Sequence, residues 1–137
     1  MTDALRRTYV LESPPDDVET VHDLLASLWS EAPQVTNGDR IRFETALIEL
    51  AANVMTYAVP GGTVECTLLI EVTDVRIIAT LTDSGYEADI PLTDGRMPGE
   101  LQEAGRGLLL MRALVDEIEY TREGDLNRWR IARNLAE

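Results

Sequence analysis

Residues Thr63–Thr82 read TVECTLLIEVTDVRIIATLT. Two runs rich in β-branched residues, Thr63–Val72 and Val75–Thr82, are separated by Thr73-Asp74, the pattern of a β-hairpin. Upstream, Pro60-Gly61-Gly62 stops a helix that spans roughly Asp39–Tyr57. Thr36-Asn37-Gly38-Asp39 opens that helix as a capping box, with a hydroxyl three residues before a carboxylate. An earlier amphipathic helix, Asp16–Trp29, carries Val18, Val21, Leu25 and Leu28 at helical spacing. A short strand at Thr8–Leu11 precedes it and ends at Ser13-Pro14-Pro15.

Downstream of the hairpin, periodicity dissolves from Asp83 to Gly105, where Gly85, Pro91, Gly95, Pro98 and Gly99 are scattered. A helix at Leu108–Val115 follows, then strands at Glu117–Thr121 and Arg128–Arg133 around the turn Glu123-Gly124-Asp125. The order β-α-α-β-β-loop-α-β-β predicts an α+β two-layer sandwich. Its sheet is expected to be mixed but mostly antiparallel, with the helices on one face. A stretch of about 20 residues without regular structure is uncommon in a small domain and often serves as a lid.

The sequence has 137 residues, enough for one α/β core and too few for two ordinary domains. A formal charge of −13 argues against nucleic-acid binding, which needs a basic footprint on phosphates. No apolar run approaches a membrane span, and the first residues lack the apolar stretch of a secretory signal. A cytoplasmic location without membrane contact is therefore expected. All twelve basic residues are Arg, so neither a GxxxxGK[ST] phosphate loop nor a catalytic strand lysine is available. A lone Cys66 and a lone His22 make neither an internal disulfide nor a His/Cys zinc site. Cys66 is expected to be a buried, inert thiol and His22 an ordinary surface or boundary residue.

On a helical wheel, Phe43, Leu47, Leu50 and Val54 form one apolar stripe of the second long helix, and Ile41, Ile48 and Met55 form another. Glu49 and Asn53 project together on the polar strip between them, beside the small Ala46 and Ala52. A carboxamide oxygen there can ligate Mg²⁺, and a carboxylate one turn away can accept a proton from an attacking hydroxyl. Asp83, in Asp83-Ser84-Gly85, ends a β run. A carboxylate so placed can accept a hydrogen bond from the exocyclic amine of adenine and repels the carbonyl of guanine. Gly105-Arg106-Gly107 opens a helix, where free N–H groups and an Arg can bind phosphate.

Taken in order, ExxxN on a helix, DxG at a strand end, a long loop and GxG before a helix resemble the Bergerat-fold, histidine-kinase-like ATPases. Those proteins bind ATP without a Walker lysine. The narrower resemblance is to bacterial anti-sigma factors that are serine/threonine protein kinases. It rests on Ala46–Asn53, on Asp83-Ser84-Gly85 and on Gly105–Tyr120, and extends over nearly the whole chain.

The resemblance implies a single ATPase domain over 1–137 with an ATP lid at about 86–104. It makes Glu49 the catalytic base, Asn53 the Mg²⁺ ligand and Asp83 the adenine reader. Gly85 gives the base room, and Gly105, Arg106, Gly107 and Leu108 bind the nucleotide phosphates. Implied partners are a sigma factor, a phosphorylated STAS-domain antagonist and a second copy of the chain. Tyr57 stands where the family often has His, and Tyr86-Glu87 where a second glycine commonly follows. If positive φ is required there, Glu87 would be strained. Two other readings remain: a module of the same fold that only sequesters a partner, and the catalytic domain of a sensor histidine kinase. The second lacks a phosphoacceptor hairpin, since the only histidine lies in a short first helix.

Overall fold

The computed structural model describes residues 4–87 and 109–135. Along the chain come β1 (Leu5–Ser13), α1 (Val18–Ser30), α2 (Asn37–Tyr57), β2 (Val64–Val72), β3 (Arg76–Asp83), β4 (Glu117–Glu123) and β5 (Leu126–Asn134). A short helical run at 109–114 precedes β4. The strands form one sheet in the order β1-β2-β3-β5-β4. Every described pairing is antiparallel. The α+β expectation holds, with a sheet more uniform than the mixed one the element order suggests.

Local chemistry sets the helix starts. Asp17 caps α1, its Oδ1 accepting from the N–H groups of Glu19 at 3.0 Å and Thr20 at 3.3 Å. Thr20 Oγ1 in turn accepts from Asp17 N–H at 3.1 Å, closing a capping box. Thr36 Oγ1 accepts from Asp39 N–H at 3.2 Å, so α2 begins two residues before the Asp39 expected from sequence. Strand β1 outruns its predicted Thr8–Leu11 because it pairs with β2 over its whole length, from Leu5 opposite Val72 to Ser13 opposite Val64.

The core lies on one face of the sheet. Val21, Leu25 and Leu28 of α1 and Phe43, Leu47, Leu50 and Val54 of α2 are buried with Leu68 and Ile70 of β2, Ile77 and Leu81 of β3, and Trp129 and Ile131 of β5. Each such side chain contributes about 1.5–3 kcal/mol by leaving water. Glu65 and Thr67, which alternate with the buried residues of β2, are exposed on the other face. The second apolar stripe of α2 is less covered than its composition suggests. Ile48 and Met55 are half-buried and Ile41 is 66% exposed, because α1 and the sheet cover only the Phe43–Val54 side.

An ion pair between the buried Asp39 and the half-buried Arg133 ties the layers. Arg133 of β5 donates from Nε to Asp39 Oδ1 at 2.9 Å and from Nη1 to the Leu114 carbonyl at 2.6 Å. It therefore holds the start of α2 and the end of the 109–114 run against the same strand. Registry across the sheet brings the end of β3 beside β2 and β5, with Asp83 opposite both Cys66 and Asn127.

Candidate functional site

Asp83, the last residue of β3, is 1% exposed. Its Oδ1 accepts from the Gly85 N–H at 2.8 Å and from Asn127 Nδ2 at 2.9 Å. Its Oδ2 is buried and has no hydrogen-bond partner among the described residues. A buried acceptor without a donor costs about 1–3 kcal/mol, more when charged, so a folded chain rarely leaves one unused. The orphan oxygen fits a donor supplied by a ligand. An exocyclic amine is such a donor.

Beyond Asp83 the chain crosses the C-terminal end of α2, where Tyr86 N–H donates to the Ala58 carbonyl at 2.8 Å. A Cβ on Gly85 would sit 2.3 Å from Ala58 Cβ and 2.7 Å from Ala58 O. Glycine is needed at this crossing, and the room it makes is taken by Ala58. The strand end with DxG and the helix that carries ExxxN are thereby joined. Glu87 is unstrained: among the described residues no non-glycine residue has positive φ.

Glu49 and Asn53 are both half-buried on α2 and make no hydrogen bond or ion pair with a described residue. Ala46 beside them is buried, and the Thr45 hydroxyl turns back to donate to the Ile41 carbonyl at 2.7 Å. The polar strip thus presents a carboxylate and a carboxamide with their polar atoms uncommitted. No cluster of three or more His, Cys, Asp or Glu suited to a metal exists among the described residues. Asn53 fits Mg²⁺ in the way that ion usually binds nucleotides, through one or two protein oxygens plus phosphates and water. Gly105, Arg106, Gly107, Leu108 and residues 88–104 of the expected lid at about 86–104 lie outside the described residues.

Three residues that sequence reading does not single out complete the Asp83 end. Asn127 is 1% exposed, and its Nδ2 also donates to the carbonyls of Tyr86 at 2.8 Å and Gly85 at 3.3 Å. Its Oδ1 accepts from the Tyr120 hydroxyl and from Arg122 Nη1 at 3.1 Å. Arg122 Nη1 also donates to the Gly85 carbonyl at 2.8 Å. From sequence, Asn127 falls just outside the predicted strand Arg128–Arg133, between it and the turn Glu123-Gly124-Asp125. Only the register of β3 with β5 shows that it faces Asp83.

The remaining candidates behave as their chemistry suggests. Cys66 is buried, and desolvation followed by the Asp83 charge pushes its thiol up to about 12. It is an inert thiol at neutral pH. His22 is exposed, with Nδ1 2.9 Å from Glu44 Oε2.

Residues 11–132 match the family model of the histidine kinase-like ATPase domain. The chain belongs to that family. Among solved structures, the histidine kinase AdeS of Acinetobacter baumannii matches with a TM-score of 0.54 and 14% identity, over 96% of this chain and 68% of that one. At that identity the likeness shows a shared fold and nothing finer. No curated protein matches the sequence. A histidine kinase-like ATPase domain implies nucleotide binding, commonly with Mg²⁺, and kinase or ATPase chemistry in general. No helix among the described residues is long and apolar enough to cross a membrane.

Proposed function

We propose that this chain is an ATP-binding anti-sigma factor that sequesters a sigma factor and phosphorylates a serine or threonine on a STAS-domain antagonist. The observation that carries the nucleotide reading is the buried, partnerless Oδ2 of Asp83. Adenine supplies an amine donor for that atom, whereas guanine would oppose it with a carbonyl. The partners rest on the sequence resemblance over Ala46–Asn53, Asp83–Gly85 and Gly105–Tyr120, as does action as a homodimer.

In this reading Asp83 holds the base, Gly105, Arg106, Gly107 and Leu108 bind the phosphates, and Asn53 gives its side-chain oxygen to Mg²⁺. The ion, when bound, neutralises charge developing on the phosphate oxygens. Glu49 accepts the proton of the incoming hydroxyl as that oxygen bonds to the γ-phosphorus and the bond to the β–γ bridging oxygen breaks. ADP leaves with the electron pair. Glu49 suits this role because no described residue holds its carboxylate.

Glu87, exposed just past DxG, favours a second reading. Its charge, if set beside the polyphosphate, would weaken nucleotide binding and leave a module that acts by sequestration alone. Transfer of the γ-phosphoryl from radiolabelled ATP to purified STAS-domain proteins, beside ATP and GTP calorimetry, separates the two. Label on one antagonist, lost when its acceptor serine is changed to alanine, is expected. ATP binding with no label on a cognate antagonist would leave the sequestering module; equal affinity for ATP and GTP would remove Asp83 as the base reader.

A further inference from the structure

The carboxamide of Asn127 has one orientation that chemistry allows. Three acceptors lie on its Nδ2 side: Asp83 Oδ1 at 2.9 Å, Tyr86 O at 2.8 Å and Gly85 O at 3.3 Å. Two donors lie on its Oδ1 side, the Tyr120 hydroxyl and Arg122 Nη1. Turned over, the amide would set its oxygen against three oxygens and its NH₂ against a guanidinium. Its two N–H groups serve the two nearest acceptors. The longer contact, to Gly85 O, is relieved by the 2.8 Å bond from Arg122.

We infer that Asn127, locked by Tyr120 and Arg122, is the positioning residue that makes Asp83 select a 6-aminopurine over a 6-oxopurine; the inference rests on the nucleotide reading above. Selectivity requires Asp83 to be an acceptor and never a donor. A protonated carboxyl would donate to the 6-carbonyl of a hypoxanthine or guanine base and erase the distinction. Two N–H donors commit Oδ1, which leaves Oδ2 as the oxygen free to accept from a ligand. Around Asp83, β2 contributes the Cys66 thiol, β4 contributes Arg122 and Tyr120 acting through Asn127, and α2 closes over Gly85 with Ala58. Cys66, pushed up to about 12, stays protonated at neutral pH.

The test compares ATP with inosine triphosphate, which replaces the 6-amine by a carbonyl, in calorimetric titrations from pH 7 to 9. Wild type should prefer ATP, with a preference flat across that range. Asn127→Asp replaces the donor with a second carboxyl, and the pair must share one proton to restore the contact. Its ATP affinity should approach wild type at the acid end and fall with pH, up to about tenfold per unit once the dyad is fully ionised. Asn127→Ser, which cannot span to Asp83, should lose about tenfold or more of the ATP-over-inosine preference.

A role in folding alone would lower the melting temperature of both variants and leave the affinity ratio and its pH profile unchanged. That result in folded protein overturns the inference. If neither Asn127 variant folds, Arg122→Gln carries the test, because it keeps the buried amide and removes one of the two donors that orient it. A narrowed ATP preference in Arg122→Gln supports the inference, and an unchanged one overturns it. Wild type that binds neither nucleotide defeats the nucleotide reading itself, and this inference with it.

Discussion

At the end of β3, Asp83 and Asn127 are each 1% exposed, and every side-chain polar atom but Asp83 Oδ2 has a protein partner. On α2, Glu49 and Asn53 are half-buried and have no partner among the described residues. The same contrast appears in the surroundings. The Asp83 end is gathered from β3, β4, β5 and the end of α2, whereas the polar strip belongs to one helix. A buried network with one acceptor left unpaired is rigid and can discriminate sharply between a donor and an acceptor. Half-exposed groups without partners stay hydrated and can exchange water for a metal, a phosphate or a proton. The first arrangement suits recognition of a base and the second suits chemistry on a phosphoryl group.

The contrast is broken most easily at Glu49. Glu49→Ala should lower phosphoryl transfer to a cognate antagonist by about 10²–10⁴-fold, the usual weight of general-base assistance. ATP affinity and partner binding should be unchanged, as radiolabel transfer run beside ATP titrations would show. Asn53→Ala should differ by weakening the Mg²⁺-dependent part of ATP binding as well. Wild-type transfer rates in Glu49→Ala would leave the strip without a catalytic role.

At the other end, Asp83→Asn should weaken ATP binding by roughly ten- to a hundredfold, since a hydrogen bond to a charged acceptor is replaced by an amide that faces the amine less well. Its preference for ATP over GTP should vanish in calorimetry. An unchanged preference would place base recognition elsewhere.

Gly85→Ala sharpens the comparison through packing rather than chemistry. A methyl 2.3 Å from Ala58 Cβ has to push the strand end off α2. Overpacking of this kind costs about 1–3 kcal/mol, which for a chain of this size lowers Tm by roughly 3–12 °C. A melting curve unchanged from wild type would mean the crossing is loose and the Asp83 end less rigid than it looks.

The smallest effect is at Cys66. Folding raises its pKa from 9.0 to about 12, so the native state binds that proton more tightly than the unfolded chain. The resulting stability is fully present below pH 9 and is lost as pH rises from 9 towards 12. Tyr9, also raised by burial, acts in the same direction, so the Cys66 share is isolated by difference. Urea denaturation at pH 8 and 10.5 should show a steeper loss in wild type than in Cys66→Ala.

Much of this molecule follows from patterns in consecutive residues. The hairpin around Thr73-Asp74, the Thr36 cap and the i to i+4 pairing of Glu49 with Asn53 need only local geometry, so sequence alone determined them. The absence of lysine likewise excluded a Walker-type site without any structure. Asn127 was illegible for the opposite reason. It lies 44 residues from Asp83, and the two meet only when β3 and β5 pair in one register. A slip of one residue would turn Asn127 to the other face of the sheet. The meeting of Gly85 with Ala58 and the full length of β1 depend in the same way on which surfaces the core brings together. Periodicity records how each segment folds on its own axis, but only tertiary packing decides which buried donor completes which acceptor.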